Sequence, residues 1–240
     1  VLVVRPNAIT ALNEGFDYDN SGAIIDVSGG FWAKHSGTAG QMQVGSGVVA
    51  VTDNNGEDVN APLIGQPYTA TNAEALYSSF TVNFSALPTT ANVYFAHFKN
   101  VANGFYGRLY ADTVTATSGY YRLGIGNAST SGSPGLSTQD LSPGVNYTVV
   151  TRLDLANGAC TIWIDPTDES SPSTTDSTSV SAPSPITSYA LREANGEGTL
   201  TMDNIKVGLN FLSVVSNIVD VVPQANPDGY SVVGDSADNV

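Results

Sequence analysis

The chain has 240 residues, 41% of them hydrophobic, enough for one large β-sandwich or one sandwich with a short appendage. Only 12% are charged, about half the usual quarter, so Ser, Thr, Asn and Gly supply the polar surface, as in secreted and cell-surface β-proteins. A net charge of −14 with 8 Lys and Arg argues against nucleic acid and anionic membrane as partners, since both need a basic patch; no apolar run is long enough to span a bilayer, so membrane insertion is not expected.

The chain opens Val1-Leu-Val-Val4 with neither an initiator Met nor a signal peptide, which reads as a mature or excised product; residues 1–11 are expected to be an extended segment. A strand with acids at or beside its end is expected at Glu14-Gly-Phe-Asp-Tyr-Asp19, and a second at Gly198-Thr-Leu-Thr-Met-Asp-Asn-Ile-Lys-Val-Gly208. Most other strand signals lie between them, which is how a sandwich looks when its first and last strands pair and acids sit at the seam. Trp32 follows Gly29-Gly-Phe in a loop-rich stretch and reads as a plug of the core. Alternating runs rich in Val, Ile, Thr, Tyr and Phe predict strands at 75–84, 93–99, 104–111, 120–126, 147–155, 160–165, 188–192 and 199–207. Asn157-Gly158 separates two of them and signals a tight hairpin, which needs positive φ. Cys160 alternates within a strand as a small buried hydrophobe, and a single cysteine makes no internal disulfide.

Residues 129–135 and 170–185 are Ser/Thr/Pro/Gly-rich loops, the second long for a compact domain. Residues 211–222 fit a short helix or another strand, because periodicity does not decide so short an apolar run. From 216 to 240 the chain reads as a linker and strand-like tail, or as the start of a following repeat.

The ordered set Asn13-Glu-Gly-Phe-Asp-Tyr18, Trp32-Ala-Lys-His-Ser-Gly-Thr38, Tyr94-Phe-Ala-His-Phe98, Tyr121-Arg-Leu-Gly-Ile-Gly-Asn127, Tyr147-Thr-Val-Val-Thr-Arg-Leu-Asp154, Thr161-Ile-Trp-Ile-Asp-Pro-Thr167 and Met202-Asp-Asn-Ile-Lys-Val-Gly208 resembles a concanavalin A-like, laminin-G/legume-lectin-like jelly roll. More narrowly it is similar to modules of secreted multidomain bacterial surface proteins, and the C-terminus resembles the start of a cadherin- or immunoglobulin-like repeat. The resemblance implies an all-β, two-sheet antiparallel jelly-roll sandwich over 12–215, an extracellular or cell-surface habitat, and a non-catalytic role in adhesion, matrix structure or glycan binding. Two other readings stay open. One is a structural subunit of a filament or sheet, joined to other copies or neighbouring domains through its terminal strands. The other is a glycan-active enzyme, a glycosidase or a lyase.

A retaining glycosidase needs two carboxylates roughly 5–5.5 Å apart; no strand carries the acidic triplet of the glucanase relatives, and no catalytic residue is assigned. A His-Tyr-Arg lyase site could draw on His97, Tyr94, Tyr110 and Arg122, but nothing in the spacing selects it. Asp17-x-Asp19-x-Ser21-Gly22 matches the first half of a calcium loop, although the twelfth position is Ser28 rather than Glu. The resemblance implies a structural calcium between first and last strands, so Glu14, Asp17, Asp19 and Asp203 are its candidate ligands; the alternative is turn-forming and strand-end acids with no ion. Arg108, Arg122 and Arg152 each precede a Leu inside a strand. If the leucines line the core, the period of two puts the arginines on the other face with Tyr110, where forked guanidinium groups and rings suit sugar hydroxyls and carboxylates. The alternative is pairing with Asp154 or Asp165. Trp163 lies opposite Ile162 and Ile164 and points toward the same groove, making Arg108, Tyr110, Arg122, Arg152 and Trp163 the glycan-binding candidates. His35 and His97 stand isolated in the sequence.

Overall fold

A computed structural model describes residues 10–127, 135–177 and 182–215. Within them the strands are β1 (Thr10–Glu14), β2 (Gly22–Ala23), β3 (Ala33–Ser36), β4 (Gln43–Gly45), β5 (Val48–Val51), β6 (Asp58–Pro62), β7 (Ala75–Ala86), β8 (Val93–Asn100), β9 (Phe105–Asp112), β10 (Arg122–Gly126), β11 (Gly135–Leu136), β12 (Tyr147–Asp154), β13 (Cys160–Ile164), β14 (Ser173–Asp176), β15 (Ile186–Arg192) and β16 (Thr199–Gly208). Two short helices accompany them, α1 (Ile24–Val27) and α2 (Phe211–Val215). The expectations for residues 1–9, for 128–134 and for the tail from 216 lie outside the described residues.

The strands form two antiparallel sheets. One has nine strands in the order β14-β13-β12-β7-β16-β5-β4-β2, with β1 also on β16; the other has seven in the order β11-β10-β9-β8-β15-β6-β3. The expected all-β two-sheet sandwich is therefore the observed one. Phe80 and Phe84 of the larger sheet meet Phe95 of the smaller one edge to face, with ring centroids 6.4 and 5.8 Å apart. Leu109, Leu123, Ile125, Tyr189 and Leu191 fill the core from the seven-stranded side. The leucines after Arg108 and Arg122 do line the core, and so does Leu153 after Arg152.

The first and last strands among the described residues pair as expected, Glu14 opposite Ile205 and Thr10 opposite Gly208. On the same edge of β16, β5 pairs only with Leu200–Met202. The hand-over from β5 to β1 falls at a bulge across Asp203 and Asn204, where Asn204 has φ 53°. A bulge adds an unpaired residue and bends the strand, which lets β16 change neighbours there. The Asn157-Gly158 hairpin joins β12 to β13, with Gly158 at φ 82° and its N–H donating to Asp154 O at 2.8 Å.

Two local expectations change, and over 211–215 the helix of the two open readings is the one found. The strand placed at 14–19 ends at Glu14, because the Glu14 carboxylate accepts from Phe16 N at 2.7 Å and Tyr18 Oη at 2.5 Å and curls the chain, with Phe16 at φ 54°. The loop at 170–185 contains edge strand β14, registered on β13 by a Thr161–Thr175 hydroxyl contact of 2.9 Å. At 211 the chain turns helical: Asn210 Oδ1 accepts from Ser213 N at 2.9 Å, a cap that satisfies one of the first free amides. The strands β2 to β6 escape sequence reading because runs of two to five residues are too short to show a period.

Candidate functional site

The face of the seven-stranded sheet turned away from the core carries an unusual group of side chains. Tyr94, His97 and Lys99 come from β8, Phe105, Arg108 and Tyr110 from β9, and Arg192 from β15. Register explains the convergence. His97 lies opposite Ala190, Tyr94 opposite Tyr110, Lys99 opposite Phe105 and Ser188, and Arg192 opposite Asp58. Ala190 and Ser188 are small and buried, so the larger His97 and Lys99 beside them pack closely onto the sheet. Arg192 lies over the Tyr94 ring at 4.3 Å and Arg108 at 5.3 Å, while His97 packs on Phe105 at 4.3 Å and on Tyr94 at 5.4 Å. Arg192 also donates to Tyr94 O at 3.1 Å and stands 3.9 Å from Asp58. His35 of β3 closes the group, 6.1 Å from His97 and 5.8 Å from Phe105.

Electrostatics set the protonation of this face. Burial first, then His35 and the positive charges of Arg108, Arg192 and Lys99, hold His97 well below its ordinary value. Burial, with Lys99, lowers His35 to about 4. Burial raises Asp58 to about 6 against the pull of Arg192, and raises Tyr110 to about 12. His97 is fully buried, and neither ring nitrogen has a hydrogen-bond partner. Tyr94, Phe105, Asn60 and Arg192 above it are partly exposed. The arrangement can stack a ring or a sugar face on the aromatics and hold an oxygen anion with the cations.

The sequence candidates divide. Arg108, Tyr110 and Arg122 do share this face, but Arg122 is held at its far end by Asp140, Nε to Oδ1 at 2.6 Å. Arg152 leaves the glycan-binding candidates and takes the alternative reading, pairing with Asp154. It sits in β12 of the nine-stranded sheet, on that sheet's outer side, paired with Asp154 at 3.2 Å and Glu74 at 3.4 Å. The period of two told which side of its strand Arg152 occupies, but not which sheet the strand joins. Trp163 is likewise on the other sheet. It faces opposite Ile162 as expected, yet α2 covers it: Phe211 lies 5.6 Å away and Trp163 is 4% exposed. Ala75, Tyr77, Val150 and Val214 complete this second apolar cluster. Sequence reading passed over Phe105, Lys99 and Arg192, and treated the two histidines as unrelated; only strand pairing joins residues so far apart in sequence.

At the seam, Glu14, Asp17 and Asp203 do approach one another: burial raises the Asp203 carboxyl, and Asp17 and Glu14 add repulsion. Glu14 does not fit a calcium ligand, because its two oxygens already take Phe16 N, Tyr18 Oη and, at 2.9 Å, Trp32 Nε1. That bond anchors Trp32, which is fully buried and stacked on Phe16 as a core plug. Asp17 and Asp19 are exposed. Among the described residues, no group of three or more His, Cys, Asp or Glu is arranged to hold a metal ion. On the nine-stranded side an open cleft of about 520 Å³ lies beside α2, lined by Ser79, Thr81, Thr148, Asp165, Asn204 and Lys206 among others. Cys160 is buried as expected, and burial pushes its thiol up to about 12.

No protein-family model and no curated protein sequence matches this chain. Solved structures do resemble it. The CBM2 module of the evolved Dit protein of Lactobacillus casei BL23 phage J-1 superposes with a TM-score of 0.53 at 12% identity, covering 86% of this chain and 97% of that one. The metal-free carbohydrate recognition domain of Emp46p gives 0.49 at 11% identity over 82% and 94%. The globular domain of T. cruzi calreticulin gives 0.48 at 11% over 85% and 89%. The phage-module likeness is one of fold, a two-sheet β-sandwich.

Proposed function

We propose that this chain is a non-catalytic carbohydrate-binding module, and that it takes its glycan on the outer face of the seven-stranded sheet. One observation carries the reading: Tyr94, Phe105 and Arg192 are partly exposed over a floor of His97, Arg108 and Tyr110, an aromatic and cationic platform on one face of a single sheet. Sugar rings stack on aromatic faces through their C–H edges, while guanidinium forks bond their hydroxyls and acids. The phage module, named as a carbohydrate-binding module, shares the fold. Burial of His97 supports binding over catalysis. Its ring packs against Tyr94 and Phe105 and is fully buried, and its neutrality comes from burial and crowding by cations. An extracellular or cell-surface habitat belongs to this reading, supported by the low charge density and the hydroxyl-rich surface.

The test is affinity electrophoresis across plant, algal and microbial polysaccharides, with Tyr94→Ala and Phe105→Ala beside the unmodified chain. Retardation by at least one glycan, lost in both variants while their melting transitions remain cooperative, is the expected result. Retardation that survives both substitutions removes this face as the site. Shortening of the glycan during incubation would make the protein an enzyme.

A further inference from the structure

We infer that the glycan held on this face is polyanionic, a polysaccharide bearing carboxylate or sulfate groups, with Lys99 and Arg192 as its counter-charges. The inference rests on the glycan-binding reading above and narrows it to a substrate class.

Charge distribution is the starting point. The chain holds 22 Asp and Glu against 8 Lys and Arg, so carboxylates to pair its cations are abundant. Yet four of the eight, Lys99, Arg108, Arg122 and Arg192, stand on one face of one sheet, and His35 and His97 lie among them. A buried cation is normally paired, because removing an ammonium group from water costs several kcal/mol unless an anion or several acceptors replace the water. Lys99 is 8% exposed, its Nζ donates to the Asn100 carbonyl at 3.3 Å, and among the described residues it pairs with no carboxylate. Arg192 has Asp58 at 3.9 Å, an ion pair beyond hydrogen-bond length; burial raises that acid only to about 6, so it stays mostly ionised at neutral pH and leaves donors of the guanidinium fork for a second anion. The other acids near this face are engaged: Asp140 by Arg122 and Thr117, and Asp112 by Val114 N at 2.6 Å.

The imidazoles point the same way. His97 has neither nitrogen satisfied, His35 leaves Nε2 unsatisfied, and both are held neutral by burial and surrounding positive charge. An anion above them would relieve that field, whereas a neutral sugar would not. The low-dielectric floor strengthens the attraction, since Coulomb energies there exceed those at a fully wetted surface. The chain as a whole carries a net charge of −14, so a polyanion gains most where the cations gather.

The experiment measures affinity by titration calorimetry against polygalacturonate oligomers, the same oligomers with their carboxyl groups reduced to alcohols, a sulfated galactan oligomer, and neutral xylan and mannan oligomers. Binding of polygalacturonate that disappears on carboxyl reduction identifies carboxylate as the anion; binding of the sulfated oligomer alone identifies sulfate; both support the inference. Lys99→Gln and Arg192→Gln should each weaken that binding by about tenfold or more, and added salt should weaken it in the unmodified chain. If Lys99→Gln does not fold, Lys99→Met tests the same charge with an apolar chain of similar length. Equal affinity for reduced and unreduced oligomers, or binding of the neutral oligomers alone, overturns the inference and leaves the glycan reading standing. Equal binding of single-stranded DNA overturns it as unspecific charge attraction. No binding to any oligomer overturns both.

Discussion

Substituting Glu197 should convert a pH-dependent weakness of the fold into a pH-independent one. Glu197 is 1% exposed at the turn between β15 and β16; its Oε1 accepts from Ala194 N at 2.7 Å, and its Oε2 has no partner. Burial, with Glu193 and Asp53 adding repulsion against the pull of Ala194 N–H and Arg192, pushes the carboxyl from 4.5 up to about 9. In the folded chain at neutral pH the group therefore keeps its proton, while in the unfolded chain it is ionised. Folding takes up a proton throughout that interval. The contribution of Glu197 is thus full below 4.5 and is lost as pH rises toward about 9. The slope is about 1.4 kcal/mol per pH unit, so roughly 3 kcal/mol is lost by neutral pH, an upper bound for one group. Glu197→Gln keeps an acceptor for Ala194 N–H and cannot ionise. Urea unfolding of both proteins at several values between about pH 5 and 8 should show the variant gaining on the parent by about 1.4 kcal/mol per unit. Burial raises Glu193 as well, but that effect is common to both proteins and largely cancels. Parallel stability curves would show that Glu197 is already ionised in the fold, and the argument would fail.

His35 should act in the opposite sense: its folded value of about 4 lies below 6.5, so the stability it contributes is present above 6.5 and lost as pH falls toward 4. His35→Asn should flatten that acid-side decline in melting temperature, and an unchanged decline would assign it to other groups. Phe211→Ala should uncover Trp163 and cost about 3 kcal/mol, with tryptophan emission moving to longer wavelength; unshifted emission would mean that α2 does not cover the ring. Glu14→Ala should strand Phe16 N, Tyr18 Oη and Trp32 Nε1 and cost about 3 kcal/mol or more by denaturant unfolding. Because those bonds already occupy Glu14, the unmodified chain should melt at the same temperature in calcium and in chelator; a rise with calcium would restore a cation to the seam.

The sequence by itself determined much of the framework, because its signals there are local. Alternation marked the long strands of both sheets, since side chains must point alternately to core and outside. Asn157-Gly158 marked a hairpin because only a few residues tolerate positive φ. Cys160 and Trp32 were legible as core from their neighbours, and so was the inward turn of Leu109, Leu123 and Leu153. Pairing of first and last strands was legible from their order in the motif set. Tertiary structure alone decided the partners. A period of two fixes the side of a strand a residue takes, but not which sheet the strand enters, and so Arg152 parts from Arg108 and Arg122. Likewise Trp163 faces outward by its period yet is sealed by α2, whose docking depends on how 211–215 folds back. The candidate site joins residues from 35 to 192, brought together by β3, β8, β9 and β15. Backbone hydrogen bonds make those pairings, and they are chemically the same whichever strands they join, so local sequence left the site dispersed until the sheet assembled it.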